Sequence, residues 1–257
     1  MKNIDLKTAV KITLLIGLGW FLASRLIFGT LNFYIHPRFN GLTLGTAIIL
    51  FLLGVAYWWQ KVGRKEFADE HDHDHHHDHD YHHGHSHDIP WSGLFILAIP
   101  ILLGLFVQPR PLGANALDNR ELNFSLTAAQ GSNLRDTTIE TDGPRNILDW
   151  LYDFQRQQDA ALFNNREADV VGFVYRDERF GEDQFMVSRF TISCCVADAN
   201  PIGLIVATDD APQLTADSWV QVTGKFQVQS FDGQMIPVLI ADSITAVDAP
   251  SQPYLYE

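Results

Sequence analysis

The sequence predicts a membrane protein of two dissimilar halves: three N-terminal transmembrane helices, then a C-terminal, mainly-β soluble domain built as a small OB-like barrel with one preceding helix. Three observations carry that expectation. Long apolar stretches crowd into residues 1–108, runs of period-two alternation crowd into the chain after Asp169, and charge and histidine are unevenly distributed. Residues 1–111 set nine Lys/Arg against nine Asp/Glu, whereas 112–257 set nine against twenty-two, so the whole formal charge of −13 lies in the second half. Two cysteines in 257 residues exclude a disulfide framework, and glycine without a period excludes collagen.

A helix needs about 20 predominantly apolar residues to cross about 30 Å of hydrocarbon. Three segments qualify, Ile12–Phe28, Leu42–Trp59 and Ile89–Val107, which makes residues 1–108 a membrane domain. The second and third contain no charge, and the second ends in Tyr57-Trp58-Trp59, an aromatic cluster suited to the headgroup level. The first carries Arg25 and follows Lys2, Lys7 and Lys11; it lacks a small-residue cleavage site and is read as retained rather than as a signal peptide. Arg25 has two readings, a side chain snorkelling to the interface or a buried charge facing a partner or pathway.

Basic flanks set orientation. Lys2, Lys7, Lys11, Lys61, Arg64 and Lys65 flank the N-terminus and the second loop, against Arg38 and Arg110 on the other side. This puts the N-terminus and the second loop in the cytoplasm and the C-terminal domain outside the plasma (inner) membrane.

That second loop, Glu66–Asp88, is low-complexity, with ten histidines and eight Asp/Glu: His71, His73, His75, His76, His77, His79, His82, His83, His85 and His87. With so little to bury, it reads as a solvated tract. Imidazole suits Zn, Cu, Ni and Fe, and the alternating carboxylates neutralise a bound cation, so several interchangeable divalent sites are expected. The lack of cysteine in the tract favours Zn²⁺, with Ni²⁺ or Cu²⁺ behind it. A polar spacer with incidental histidines is the plainer alternative.

Residues 109–143 read as a linker with one short strand near 121–126. The outer domain, 144–257, begins with Pro144 at a helix start; Ile147, Leu151 and Phe154 then give one apolar face through about Ala161. Five strands follow: Asp169–Tyr175, Gln184–Ser193, Ile202–Ala207, Trp219–Gln229 and Met235–Val247. Phe231-Asp232-Gly233-Gln234 is the hairpin signal, Gly172 and Gly224 fall where a closed sheet bends, and Pro237 places the last strand near an edge. OB-like barrels commonly bind oligonucleotides or oligosaccharides. The −13 of this half excludes nucleic acid.

The densest constellation is Phe190-Thr191-Ile192-Ser193-Cys194-Cys195-Val196-Ala197-Asp198. Alternation along a strand sends Cys194 and Cys195 to opposite faces, so one thiol is expected to point inward, and a disulfide between neighbours would be strained. Two readings stand. Either the cysteines are small core hydrophobes and Asp198 caps a turn, or Cys195 and Asp198 at the strand exit form a second metal or redox site. The packing reading is the simpler one, because the expected domain holds no other His or Cys.

The His/Asp tract between apolar spans, Arg189-Phe190, the run Ile192–Asp198, Gly203-Leu204 and Trp219-Val220-Gln221-Val222-Thr223-Gly224 together resemble the YcgQ-like permease-subunit family over essentially the whole chain. Its signature, Cys-x-Ala-Asp, is matched by Cys195, Ala197 and Asp198. The resemblance implies a small bacterial membrane protein working beside a larger polytopic permease. Three spans with one ionisable residue make a poor solute pathway, which also calls for a second chain. The expected function is therefore an accessory permease subunit whose loop binds or buffers divalent metal. The alternative is a free-standing, membrane-tethered metal-binding or sensor protein. No Ser-His-Asp, paired-carboxylate or Walker pattern occurs, so the chain is not read as an enzyme.

Overall fold

A computed structural model describes residues 5–63, 90–117, 145–157, 159–231 and 233–256. The histidine tract 66–88, the strand expected at 121–126, Pro144 and Asp232 lie outside the described residues. The chain forms two compact units, one of Met1–Asn32 with Pro37–Pro109, the other of Phe33–His36 with Arg110–Glu257.

The first unit contains α1 (Leu6–Ile27), α2 (Asn40–Gly63) and α3 (Trp91–Phe106). Leu6–Ile27 and Pro37–Gln60 are long and apolar enough to cross a membrane. The third expected span, Ile89–Val107, is corrected in length: α3 is a shorter apolar helix of 16 residues, about 24 Å at 1.5 Å per residue against about 30 Å of hydrocarbon, so two helices and not three reach the length of a span. Most large apolar side chains of these helices are exposed, among them Trp20, Leu52, Phe95 and Phe106. They associate through small residues instead. A Cβ at Gly19 would press on the Ala47 carbonyl of α2, and one at Gly54 would strike Ile16, the close approach typical of helices packing in lipid. Arg25 donates to the Gly104 carbonyl in the last turn of α3, where carbonyls have no intrahelical partner, and its guanidinium lies 5.0 Å from the Phe21 ring centroid. The charge is engaged inside the chain, a use that neither sequence reading of Arg25 included.

In the second unit α4 (Ile147–Arg156) starts at a capping box between Asn146 and Asp149 and buries Ile147, Leu148, Trp150 and Phe154. It ends at Arg156 rather than near Ala161, and a separate 3₁₀ turn, Ala160–Phe163, capped by Asp159, follows. Phe154 packs edge-on against Phe163 and Phe226 at 4.6 and 5.3 Å.

The sheet comprises β1 (Glu167–Tyr175), β2 (Gln184–Ile192), β3 (Asn200–Ala207), β4 (Trp219–Phe231), β5 (Gln234–Ala246) and β6 (Tyr254–Tyr256). Its order is β1-β4-β5-β3-β2, and β1 pairs again with β2 to close five strands into a barrel. β3 and β5 run parallel and the other barrel neighbours antiparallel, an arrangement that fits the OB-like expectation. β4 and β5 shift register between Thr223 and Gly224, where any Cβ would collide with the Ile240 carbonyl, so the bend needs glycine. Pro237 pairs only towards β4, because β3 meets β5 later, at Leu239 and Ile240. Its missing N–H thus falls where no ladder bond is required.

Sequence reading missed β6, which pairs in parallel with Phe190–Ile192 of β2. This strand and the segment around Leu112–Leu117 create a second core. Phe173, Met186, Phe190, Ile192, Leu117 and Tyr254 are buried there, separately from the barrel interior of Val170, Val187, Leu204, Val222, Phe226 and Leu239.

Candidate functional site

The site stands where β2 stops. Asp198, on the 3₁₀ turn Val196–Asp198 ahead of β3, turns its carboxylate back and accepts the N–H groups of Ser193 (3.1 Å), Cys194 (2.7 Å) and Cys195 (3.4 Å). One short side chain thereby satisfies three donors freed by the strand end and bends the chain at Ser193–Cys194. The bend overturns the expectation of opposite-facing cysteines. The two Sγ atoms lie 3.6 Å apart on the same side of the chain, and neither is a core thiol: Cys194 is exposed and Cys195 partly so. Both are free thiols. The expected role of Asp198 as a turn cap stands.

The loop is held from its other edge by residues far away in sequence. Ile35 forms an antiparallel bridge with Cys195, His36 N–H donates to the Cys194 carbonyl at 3.0 Å, and Val196 N–H to the Tyr34 carbonyl at 2.9 Å. The His36 ring packs on Tyr256 with centroids 4.4 Å apart. A histidine therefore joins this unit after all, brought in by the connection between α1 and α2. Nothing in the local sequence at Ile35-His36 signals the pairing.

Tyr254 secures the same edge. Its hydroxyl accepts the Leu112 N–H at 2.9 Å and donates to the Phe33 carbonyl at 3.1 Å, while burial pushes its own pKa up. Arg189, on β2, donates through Nε to the Pro253 carbonyl at 3.1 Å and through Nη2 to that of Gln252, fixing the chain as it enters β6. Burial brings the guanidinium down to about 10, and it is still protonated at neutral pH. Pro253 followed by alternating Tyr254-Leu255-Tyr256 was the available signal for β6; nothing marked Arg189 as its clamp.

Electrostatics distinguish the three side chains. The Cys194 thiol donates to the Asp198 carboxylate and lies against the Cys195 sulfur; losing its proton would set a thiolate beside a carboxylate, so its pKa is pushed up to about 11. Burial alone would raise the Asp198 carboxyl. The Cys194 thiol and the N–H groups of Cys194, Ser193 and Cys195 outweigh it and hold the group below its ordinary value. The three ligating atoms lie within 4.8 Å of one another, the one such cluster among the described residues. The geometry offers two soft donors and one hard one, reachable by solvent.

Two family descriptions match successive parts of the chain: the DUF1980 N-terminal domain over residues 10–123 and the DUF1980 C-terminal domain over 125–257. A Streptococcus mutans serotype c protein named "Putative two-component membrane permease complex subunit" is 26% identical over 196 residues, covering 63% of this chain and 72% of that protein. UPF0703 protein YcgQ of Bacillus subtilis is 21% identical over 127 residues, covering 49% of this chain and 43% of that protein. These matches agree with the family resemblance read from the Cys-x-Ala-Asp run and its flanks.

The raised Cys194 pKa has a direct kinetic signature. The folded value exceeds the ordinary thiol value of about 8.5, so the protonated thiol favours the fold at lower pH, and that contribution is lost as pH rises through about 11. Alkylation of Cys194 by iodoacetamide in the metal-free chain, followed by peptide mass spectrometry, is expected to show a rate midpoint near 11 despite the exposure of the residue. Asp198→Asn is expected to draw the midpoint down towards about 8.5. An unmutated midpoint already near 8.5 contradicts the assignment.

Proposed function

Because the chain belongs to the DUF1980 family through both of its halves, we propose that it is the accessory subunit of a two-component membrane permease complex. The observation that carries this reading is the scarcity of polar groups in the membrane unit. Within the apolar stretches Ile12–Phe28, Leu42–Trp59 and Trp91–Phe106 the one charged residue is Arg25, and the Gly104 carbonyl engages it. A solute pathway needs polar groups near the midplane, so the pathway belongs to a larger polytopic partner. The name of the streptococcal relative supports the same assignment. Affinity purification of the tagged chain from native membranes, with mass spectrometry of what accompanies it, tests the proposal. A stoichiometric polytopic protein is expected; its absence from gently solubilised membranes favours a free-standing, tethered protein instead.

The proposed topology is three crossings, with the N-terminus and the histidine loop cytoplasmic and the barrel outside. Phe33–His36, which joins α1 to α2, shares backbone hydrogen bonds with Cys194–Val196, so that connection and the barrel occupy one compartment. If α1 and α2 both cross, a barrel that follows α3 reaches the same compartment only when α3 crosses too. Local bilayer thinning accommodates its shortness at modest cost. In a background with Cys194 and Cys195 replaced by Ser, a cysteine in place of Ser251 is expected to react with an impermeant maleimide on envelope-permeabilised cells, and one in place of Ser86 only after lysis. Labelling at Ser86 without lysis inverts the model.

In this reading the loop of ten histidines binds or buffers divalent metal, Zn²⁺ before Ni²⁺ or Cu²⁺. Calorimetric titration of a 66–88 peptide with Zn²⁺ is expected to give more than one equivalent at pH 7.5 and to lose binding below about pH 6, as imidazoles of pKa about 6.5 take up protons. Binding indifferent to pH between about 5 and 8 refutes imidazole ligation.

A further inference from the structure

We propose that Cys194, Cys195 and Asp198 form a three-ligand site on the barrel for a borderline-soft divalent cation, with Zn²⁺ the best match. The proposal rests on barrel residues alone and stands apart from both the histidine loop and the permease partnership. Zn–S bonds of about 2.3 Å at a tetrahedral angle hold two sulfurs about 3.8 Å apart. Here the sulfurs already stand at 3.6 Å, with the carboxylate oxygen of Asp198 inside the same 4.8 Å cluster. That spacing is near what a shared ion requires and far from the roughly 2.05 Å of a disulfide.

The surroundings fit the same use. The Asp198 carboxylate is aimed by three backbone N–H groups, the outer-partner arrangement that fixes a metal-binding carboxylate, and the Cys194–Val196 backbone is clamped by Tyr34 and His36. Two sulfurs and one oxygen suit Zn²⁺ better than the oxygen-seeking Mg²⁺ or Ca²⁺. Three protein ligands leave the fourth tetrahedral position open, and Cys194 and Asp198 are both exposed, so the open position faces solvent. Binding replaces the two S–H bonds with S–metal bonds and releases both protons to water. A site of this form exchanges its ion with small ligands or with a donor side chain of another protein, rather than locking it in as a structural metal.

The test uses the full chain in detergent micelles, reduced beforehand with a phosphine and titrated with Co²⁺ as a spectroscopic substitute for Zn²⁺. Thiolate-to-cobalt charge transfer in the near ultraviolet arises from sulfur ligation alone, so imidazoles of the loop do not mimic it. In the chain whose ten loop histidines are changed to Ala, the expected result is a band that saturates at one Co²⁺ per chain and bleaches on adding Zn²⁺; the same band is expected with the loop intact. Cys194→Ser and Cys195→Ser are expected each to remove at least half of it. Asp198→Asn is expected to weaken cobalt affinity by no less than the roughly tenfold that loss of even an outer partner costs. X-ray absorption of the Cd²⁺-loaded, loop-substituted chain, in which Cys194, Cys195 and Asp198 are unchanged, counts the sulfur neighbours of the ion, and two are expected. No charge-transfer band, a band that survives loss of both thiols, or a count below two sulfurs overturns the proposal.

Discussion

Burial of both faces of β2 is the constraint on which the outer unit depends. From Phe185 to Ile192 every residue is buried, which a strand in an open, one-sided sheet does not require. One set, Phe185 and Val187, fills the barrel; the other, Met186, Phe190 and Ile192, needs a second cover. β6 and the Leu112–Leu117 segment supply it, and Arg189 and Tyr254 supply the polar contacts that keep the cover in place. The sulfur loop inherits its position from this arrangement, since Asp198 gathers the N–H groups that come free just where the doubly buried strand ends.

How much of this could be read from sequence varied with how local the cause was. All five barrel strands lie within a few residues of their expected limits, because period-two alternation and the turn residues between them are local signals. Gly224 was identifiable as a bend for the same reason. β6 escaped because a three-residue strand carries too little pattern, although Pro253 and the alternating tyrosines mark it. The cysteines were misplaced by one assumption, that β2 continues through them; the carboxylate five residues beyond Ser193 ends it. His36 was beyond local reading altogether, since its partner in the backbone ladder lies some 160 residues away.

The two units follow different packing rules. In the barrel, aromatic rings interlock and Phe226 is fully enclosed. In the helical unit the large side chains face outward and glycine makes the contacts, because lipid tails are as apolar as leucine and give helices no hydrophobic reason to associate. A charge inside such a unit needs a polar partner, and for Arg25 the Gly104 carbonyl is that partner.

The backbone bridge between Ile35 and Cys195 also has a consequence for biosynthesis. Ribosomes extend chains at about 5 to 20 residues per second, so the 160 residues separating the partners represent roughly 10 to 30 seconds of elongation. During that interval Tyr34 and His36 have emerged while the strand end that will satisfy them has not. The segment cannot reach its final hydrogen bonding by local folding, and its loop-closure entropy is met only once the barrel has formed. Folding of the connection between the first two helices is thus deferred until the barrel has been made, and a chain that terminates before Cys195 leaves it incomplete however well its helices insert.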